Sequence, residues 1–449
     1  MQIINTNKQC VGHQELMLSS MLRKNYICID DFMTKGLSIL LAIGLIILFQ
    51  QSANAQVNQN QQFLRTTGVL DSLYSQTLNE TRLFYIQLPS SYSPEKNQQY
   101  PVVYILDGER FLPTVHEVQK YYSGGFTPEM VLIGISNEKN RVRDLTTSSI
   151  TTHYGMPFNE KNGEAEQFRE FIETELIPFV ESKYPVTSYR TMIGHSYGGL
   201  FTIYNLLHRP HLFANYVAID PSLDWDNQEL LNESEEILAT GSYEGKALFM
   251  SLGGQLHMQN PQITIDNVMQ DTTDYTLFSR SNIAFSDLVQ EHAHNGLSYE
   301  WKFYSNDIHG TIPFPSIMDG LISLFEWYQM ENTDKINSFD TSKEELFSII
   351  KQRERKLMKH FGYSEPPYPE ELLNMSGYMN MDMDQPGKAK MYFELAIEYY
   401  PESANACNSM ADYYEAADDI PSALRYVQKA SELSDDPYFK NRLQSLKTK

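Results

Sequence analysis

The sequence predicts an α/β domain with a mostly parallel sheet, followed by a small all-helical domain. As far as about residue 335, strand-like apolar runs alternate with helical patterns, and this alternation is typical of parallel sheets. Beyond about residue 340 these runs stop, and Ala, Tyr, Met and acidic residues recur at helical spacing. We therefore expect an α/β domain over 66–335, a helical linker over 336–369 and helical repeats over 370–449.

The first predicted strands form a hairpin, and most of the later ones are buried on both faces. VLDSLYS (69–75) and RLFYIQLP (82–89) flank the turn-like pair Asn79-Glu80. PVVYIL (101–106) and VLIGIS (131–136) are nearly continuous apolar runs, as expected for central strands. Further strands are predicted at 191–194, 216–220, 246–252 and 301–305.

Two helices are predicted between these strands. Over 165–184 the apolar residues recur at the spacing of one helix face: Phe168, Phe171, Ile172, Leu176, Phe179 and Val180. A second helix is predicted from about Gly198 to His208.

The C-terminal region contains an internal repeat with a period of 34 residues. Ala389, Phe393 and Ala396 recur as Ala423, Val427 and Ala430. Small residues let antiparallel helices approach closely, and this region resembles a pair of tetratricopeptide repeats with a capping helix at 437–446. A plain helical bundle is the alternative. Because it is rich in proline, the segment 364–369 is expected to be the linker between the two domains.

The composition excludes several classes of protein. The chain has 449 residues, with 35 Lys+Arg against 57 Asp+Glu, and a net charge of −22. This charge argues against binding to nucleic acids or anionic membranes. With 41% hydrophobic and 12% aromatic residues the chain is expected to fold. Its three cysteines form neither a disulfide framework nor a CxxC zinc motif, and Cys407 is expected to be a core residue.

The first 55 residues are interpreted as a targeting region. The apolar run 37–49 follows Lys35 and precedes Ala53-Asn54-Ala55, which has the small-residue pattern of a signal-peptidase site. We therefore expect a secretory signal at 33–55, a mature chain without a membrane span, and a periplasmic or secreted location. The preceding 32 residues fit no part of a signal, which raises the question of whether translation starts at Met33. An uncleaved anchor is the alternative.

A serine with small neighbours lies between a predicted strand and a predicted helix. In Gly194-His195-Ser196-Tyr197-Gly198-Gly199 the turn exposes the serine hydroxyl at a helix N-terminus, where the next N–H can stabilise an oxyanion. Ser196 is therefore the candidate nucleophile, and the alternative is a purely structural turn.

The candidate base is His309, which follows the last predicted strand in the segment Asp307-Ile308-His309-Gly310. A serine hydroxyl needs such a base, and in hydrolases of this kind the histidine comes last in chain order. His195 lies inside the serine turn itself and fits the role less well. A metal site at His292-x-His294 lacks an evident third ligand, so no metal is expected.

The residue that orients the base is not selected by spacing. The expected place is the segment after the strand at 246–252, which contains Asp266, Asp271 and Asp274. Asp307, two residues before the base, is a further candidate. An acid elsewhere, such as Asp224 or Asp226, or a dyad without an acid, also stays open.

Several segments in a fixed order resemble the putative-esterase branch of the α/β-hydrolase fold, which includes esterase D-like, feruloyl and siderophore esterases. They are YPVVYILDG (100–108), RVRDLT (141–146), the serine turn, DPSL (220–223) and HGTIP (309–313). The resemblance covers about 66–328 and implies an α/β-hydrolase sandwich. It also implies that the backbone N–H groups of Tyr197 and Glu109 form the oxyanion hole.

Two positions depart from this family pattern and concern the acid. Gly253 stands where members often carry an acidic residue, and Ile308 stands before the histidine where an acid is usual. Asp271-Thr272-Thr273 resembles a segment of members that also carry tetratricopeptide tails. On that resemblance Asp271 is the predicted acid, with Asp307 and Asp266 as alternatives.

The predicted function is a serine carboxylic-ester hydrolase acting through Ser196, His309 and an acid, without a metal or organic cofactor. The expected substrate is an acylated carbohydrate or a small acyl ester, and a siderophore ester is the alternative. A different hypothesis is an inactive hydrolase-like protein whose repeats recruit a protein partner. A peptidase of the same fold is a third.

Overall fold

The computed structural model describes residues 68–94 and 98–448, and within them an eight-stranded sheet forms the centre of the α/β region. Its strands are β1 (Val69–Ser75), β2 (Glu80–Gln87), β3 (Tyr100–Ile105), β4 (Val131–Ile135), β7 (Val186–His195), β8 (Asn215–Ile219), β9 (Ala247–Gly253) and β10 (Ser298–Tyr304). A separate two-stranded hairpin consists of β5 (Thr152–His153) and β6 (Met156–Pro157). The order across the main sheet is β1-β2-β4-β3-β7-β8-β9-β10. Strand β2 is antiparallel to both β1 and β4, and the other pairs are parallel.

Helices cover both faces of the sheet. On one face lie α3 (Ala165–Phe171), a π-helical turn (Ile172–Leu176), α4 (Ile177–Lys183), α5 (Tyr197–His208), α6 (Trp225–Thr240) and α7 (Leu277–Glu291). On the other face lie α1 (Gly108–Tyr122), α8 (Pro313–Leu324) and part of α10 (Lys343–Phe361). The short helices α2 (Arg141–Leu145) and α9 (Thr333–Ile336) lie in connections. The central strands are therefore buried on both faces, the runs of β3, β4 and β8 completely, whereas the edge strand β1 is largely exposed.

The α/β class and the predicted strands are confirmed. The hairpin turns at Asn79, whose φ is 52°, a left-handed conformation that asparagine tolerates. The predicted 165–184 helix is present but contains the π-helical turn in its middle. Helices α1, α6 and α7 were not predicted, because their polar residues obscure the apolar spacing on the faces that pack against the sheet.

The predicted secretory signal at 33–55, the stretch before it, Cys10 and Cys28 lie outside the described residues. Among the residues that are described, we find no helix whose length and apolar character would suffice to cross a membrane. Cys407 is fully buried, as expected for a core residue.

The predicted helical character of the C-terminal region is also confirmed. It consists of α11 (Glu370–Asp382), α12 (Pro386–Tyr399), α13 (Ala404–Ala416), α14 (Ile420–Leu433) and α15 (Pro437–Lys447). The repeated alanines are fully buried, as a close helix–helix approach requires. A Cβ on Gly377 would lie 2.3 Å from the Phe393 ring, so the small residue makes room for this side chain. The assignment of these helices as tetratricopeptide repeats stays a prediction.

Helix α10 belongs to two cores at once. Its C-terminal residues Leu357 and Phe361 lie in the core on one face of the sheet. Its N-terminal residues Leu346 and Ile350 pack against the C-terminal helices. The proline-rich segment is held to α10, because Arg353 Nε donates a hydrogen bond of 2.8 Å to the carbonyl of Pro367. The linker is thus a packed structural element rather than a free tether.

This arrangement predicts different outcomes for two truncations. A chain ending at Ser364 keeps Leu357 and Phe361, so we expect it to fold and to retain activity on small esters. A chain ending at Asn332 loses both side chains and should be destabilised by more than about 4 kcal/mol, since each large buried side chain contributes about 2–5 kcal/mol. Urea unfolding of the two proteins measures this difference. Equal stability of both would show that α10 does not complete the hydrolase core.

Candidate active site

The candidate nucleophile lies where β7 ends and α5 begins. Ser196 has φ 61° and ψ −118°, a sparsely populated conformation that persists only when the surroundings enforce it. A Cβ on Gly194 would lie 2.1 Å from the carbonyl oxygen of Gly198, so the turn excludes any side chain there. The sharp strand-to-helix turn predicted for this motif is present.

Neighbouring strand β8 holds this turn in place. The Ser196 N–H donates to the carbonyl of Ile219 at 2.9 Å, and the Ser222 N–H donates to the carbonyl of Ser196 at 3.1 Å. The Ser196 Oγ lies 3.3 Å from the Ser222 Oγ. Ser196 is thus bonded through its N–H to the last residue of β8 and through its carbonyl to the segment that follows this strand.

His309 lies in the loop between β10 and α8 and is paired with Asp220. The Nδ1 atom of His309 is 2.6 Å from the Oδ2 of Asp220. The carboxylate is buried, with 3% of its side chain exposed, whereas the imidazole is 42% exposed. The second carboxylate oxygen accepts the N–H of Gly253 at 2.9 Å. Both oxygens of Asp220 are therefore bonded, and one of them orients the histidine ring.

The predicted acid, Asp271, is not in this position. Its Oδ1 accepts hydrogen bonds from the backbone and hydroxyl of Thr273 at 2.8 and 2.6 Å and from the Thr276 hydroxyl at 3.0 Å. These bonds, chiefly the one from the Thr273 hydroxyl, lower the pKa of Asp271. The carboxylate thus stabilises its own turn, and the expectation that it orients His309 is corrected.

The alternative acids also lie away from the His309 ring. Asp307 accepts a hydrogen bond from the Thr311 hydroxyl at 2.9 Å within the same loop. Asp266 is exposed, and Asp274 is an exposed residue that begins a short 3₁₀ helix.

Sequence reasoning missed Asp220, although a signal was present. The residue directly follows a fully buried strand, and functional groups of parallel sheets collect at that edge.

Gly253, which departs from the family pattern, has a definite role in this arrangement. It ends β9 and donates its N–H to the carboxylate that follows the neighbouring strand, β8. A Cβ at this position would lie 3.5 Å from Asp220 Oδ2 and 3.3 Å from the Asp307 carbonyl oxygen. The carboxylate bonded to His309 thus follows β8 in this chain, and the end of β9 donates a hydrogen bond to it.

The two expected oxyanion donors are the backbone N–H groups of Tyr197, the first residue of α5, and of Glu109, the second residue of α1. Tyr197 begins α5, so its N–H belongs to the unsatisfied donors of a helix N-terminus. Glu109 is an exposed residue. Partial burial raises the pKa of its carboxyl group, and hydrogen bonding to its own backbone N–H opposes this shift. The Glu109 carboxylate therefore competes for the donor that the resemblance assigns to the oxyanion.

The three arginines near the site have different surroundings. Arg141 donates from Nε to Asp107 at 2.9 Å and from Nη2 to the carbonyl of His195 at 3.0 Å, and its guanidinium lies over the Tyr197 ring. Arg143 is engaged with Glu80 and Asp144 and is mostly buried, so it is a structural residue. Arg110 is exposed and lies over the Phe111 ring. Arg110 thus presents a positive charge at the site, whereas the charge of Arg141 is already paired with Asp107.

An aromatic wall borders the nucleophile on the side of the β5–β6 hairpin. The Trp225 ring packs edge-on against the Tyr197 ring, with centroids 5.3 Å apart. The centroid of the His153 ring lies 5.4 Å from that of Trp225. Tyr154 donates a hydrogen bond to Asp224, whose pKa is raised by burial. The tyrosine is part of the hairpin turn and is 44% exposed. Trp225 itself is buried, so the parts of this wall that can contact a planar or apolar part of a substrate are its more exposed members His153, Tyr154 and Tyr197.

His195 is a neutral buried imidazole beside His309. Burial first, and then the positive charges of His309, Arg141 and Arg110, lower the pKa of His195 to about 3. Its side chain lies between Phe111 and His309, with ring centroids 5.7 and 4.5 Å away.

The buried His195 predicts a dependence of stability on pH. An unfolded histidine has a pKa of about 6.5, so between about pH 6.5 and 3 the unfolded chain binds a proton that native His195 does not. The free energy of unfolding therefore falls as pH falls through this window. Protonation of this one residue in the unfolded chain shifts the unfolding equilibrium constant by about tenfold per pH unit. Urea unfolding at pH 7 and pH 5 measures the shift. In His195→Gln the acid-induced loss should be smaller by this amount, and an unchanged loss would contradict the expected neutral state.

The described residues include one group of acid and histidine side chains close enough to be considered for a metal. His195, Asp220 and His309 each place one potential ligand atom within 4.8 Å of the others. Both His309 Nδ1 and His195 Nε2 are engaged in hydrogen bonds, however. These are two separate hydrogen bonds, one from the His309 ring to the Asp220 carboxylate and one from the His195 ring to the His309 main chain. The rings of His292 and His294 lie 5.9 Å apart; His292 is half-buried and His294 is exposed.

A mostly parallel sheet with a serine on a strand-to-helix turn and a histidine–aspartate pair at its carboxyl edge defines an α/β-hydrolase. Residues 75–270 match the family described as "Putative esterase". The chain belongs to this esterase family.

Curated relatives of the chain include two esterases. It is 29% identical over 211 residues to the ferri-bacillibactin esterase BesA of Bacillus subtilis, covering 43% of this chain and 72% of that protein. It is 32% identical over 184 residues to the siderophore enterobactin esterase of Emericella nidulans, covering 38% of this chain and 59% of that protein.

A solved structure supports the same assignment. The IroE-like serine hydrolase from Shewanella oneidensis is 27% identical, with a TM-score of 0.60. The match covers 74% of this chain and 99% of that chain. The chain is thus an esterase of the α/β-hydrolase fold.

Proposed function

We propose that the protein is a serine carboxylic-ester hydrolase with Ser196 as nucleophile, His309 as general base and Asp220 as the acid that orients it. The observation that carries the proposal is the 2.6 Å contact between His309 Nδ1 and Asp220. The loop that contains His309 lies beside the serine turn, to which it is hydrogen-bonded through His195. A carboxylate at Nδ1 places the proton there and leaves Nε2 to accept the proton of a serine hydroxyl.

The reaction follows from this arrangement. Ser196 Oγ leaves its contact with Ser222 and attacks the ester carbonyl carbon, while its proton passes to His309 Nε2. The N–H groups of Tyr197 and Glu109 stabilise the oxyanion, which requires the Glu109 carboxylate to move away from its own N–H. His309 then protonates the leaving alkoxide, and water, activated by the same base, hydrolyses the acyl-enzyme.

Two substrate classes are proposed. A neutral acylated carbohydrate or small acyl ester agrees with the net charge of −22 and with acidic groups such as Glu109 near the site. A siderophore ester is supported equally well. The chain is similar to the ferri-bacillibactin esterase BesA and to the siderophore enterobactin esterase of Emericella nidulans, and the guanidinium groups of Arg110 and Arg141 lie near the site, the second of them paired with Asp107.

A panel of esters tests both the activity and the substrate class. The purified protein is assayed with an acetylated oligosaccharide, a feruloyl ester, a tricatecholate trilactone and the ferric complex of that trilactone. We expect hydrolysis of at least one, and loss of it in Ser196→Ala. Preference for the ferric complex, weakened in Arg141→Gln, would select the siderophore class. No turnover of any ester would favour an inactive protein that recruits a partner through its C-terminal helices.

We also propose that the protein is secreted or periplasmic and that its C-terminal helices bind a protein partner. The first proposal is supported by the apolar run 37–49 and the Ala53-Asn54-Ala55 pattern. Mass spectrometry of the processed protein tests it, with Gln56 as the expected first residue. A processed chain that still contains the apolar run would contradict it.

A further inference from the structure

His195 makes a hydrogen bond that the proposed reaction does not use. Its Nε2 lies 2.9 Å from the carbonyl oxygen of His309. A carbonyl oxygen only accepts, so Nε2 must carry the proton and donate it. The side chain is 4% exposed and is fixed between the rings of Phe111 and His309. The structure therefore holds this donor in one orientation.

The loop that carries His309 is also held next to it at Ile308, whose N–H donates to the Thr311 hydroxyl at 3.1 Å and whose carbonyl accepts the N–H groups of Thr311 and Ile312 at 2.9 and 3.0 Å. Ser305, Asn306, Ile308 and Gly310 are exposed. Within the loop, Asp307 accepts the N–H of Gly254 at 2.7 Å through its carbonyl. Asp220 orients the imidazole ring but does not restrain the main chain that carries it. The bond from His195 is the restraint at the main chain of His309 itself.

His195 also precedes Ser196 in the chain, and its own carbonyl accepts the Nη2 of Arg141 at 3.0 Å. One residue thus connects the serine turn with the histidine loop, although the two are 114 positions apart. The relative position of the two catalytic groups depends on this connection.

We propose that His195 is a positioning residue that holds the His309 loop at the correct distance from Ser196. The inference rests on the proposed roles of Ser196 and His309. A displacement of about 1 Å between reacting groups can lower a rate by about 10²-fold, so losing this restraint should lower kcat. The neutral state of His195 suits this role, because a charged ring would oppose the imidazolium that forms on His309.

Two substitutions separate the hydrogen bond from the packing. His195→Phe keeps an aromatic ring between Phe111 and His309 but removes the donor. His195→Gln places an amide N–H close to the position of Nε2. We expect His195→Phe to lower kcat on an aryl ester by about 10–100-fold with KM within about twofold of wild type. His195→Gln should recover most of this loss. Phe111→Leu, the packing control, loosens the ring but leaves the donor in place, so it should lower the melting temperature and lower kcat by less than His195→Phe does.

A spectroscopic measurement makes the test independent of turnover. The proton between His309 Nδ1 and Asp220 should give a strongly deshielded ¹H resonance whose exchange with water reports on the loop. We expect faster exchange in His195→Phe and near wild-type exchange in His195→Gln. Unchanged kcat and unchanged exchange in His195→Phe would overturn the positioning role. Absence of esterase activity in the wild-type protein would instead overturn the proposed function, and the exchange rates would still decide the role of His195.

Discussion

Ser196→Ala and His309→Ala should each lower kcat/KM for ester hydrolysis by about 10³-fold or more, and the double variant should be little worse than either. A serine hydroxyl without a base is a weak nucleophile, and a base without a nucleophile has no proton to accept, so the two losses are not independent. Steady-state kinetics on one chromogenic aryl ester measure all three proteins.

Ser222→Ala is the matched control for this experiment. Its hydroxyl lies 3.3 Å from that of Ser196 but has no role in the proposed reaction. We expect its kcat/KM to remain within about tenfold of wild type. Losses that multiply in the double variant would contradict a nucleophile and base that act as one unit.

Asp220→Asn should lower kcat by roughly 10³–10⁴-fold while the protein remains folded. An asparagine at this position can present an amide N–H to Nδ1, which stabilises the wrong tautomer and cannot stabilise the imidazolium. The isosteric change keeps the volume of a side chain that is almost fully buried. Far-UV circular dichroism and urea unfolding verify the fold, and burst-phase kinetics show whether acylation is the impaired step.

The other aspartates provide controls within the same protein. Asp271→Asn should retain near wild-type kcat, because its carboxylate accepts hydrogen bonds from Thr273 and Thr276 in its own turn. Asp307→Asn should also retain most activity, with a modest effect through its bond to the Thr311 hydroxyl. If Asp271→Asn loses activity and Asp220→Asn keeps it, the acid assigned from the 2.6 Å contact is wrong.

The predicted position of the acid was wrong for a physical reason that concerns the sheet. The expectation placed it after β9, whereas the structure places Asp220 directly after β8. The ends of β8 and β9 are hydrogen-bonded neighbours, since the Asp220 N–H donates to the Ser251 carbonyl at 2.9 Å. A carboxylate at either end can reach the same histidine, and only the packed strands determine which one does.

The boundary between the two predicted domains is a second feature that the sequence predicted only in part. The change in composition near residue 340 predicted helices beyond it, and the described residues there form helices, although the last strand already ends at Tyr304. It did not predict that one helix, α10, contributes Leu357 to the hydrolase core and Leu346 to the core of the C-terminal helices. An amphipathic pattern shows that a helix has an apolar face, but it does not show how many partners cover that face.

The sequence by itself determined the α/β class, the buried central strands and the sharp turn at Ser196. These features depend on local patterns: continuous apolar runs, helical spacing and small residues around the serine. The tertiary structure decided the partner of His309, 89 positions away in the chain, and the role of His195, whose bond spans 114 positions. Such contacts depend on which strand ends lie side by side in the sheet, and no local pattern of residues contains that information.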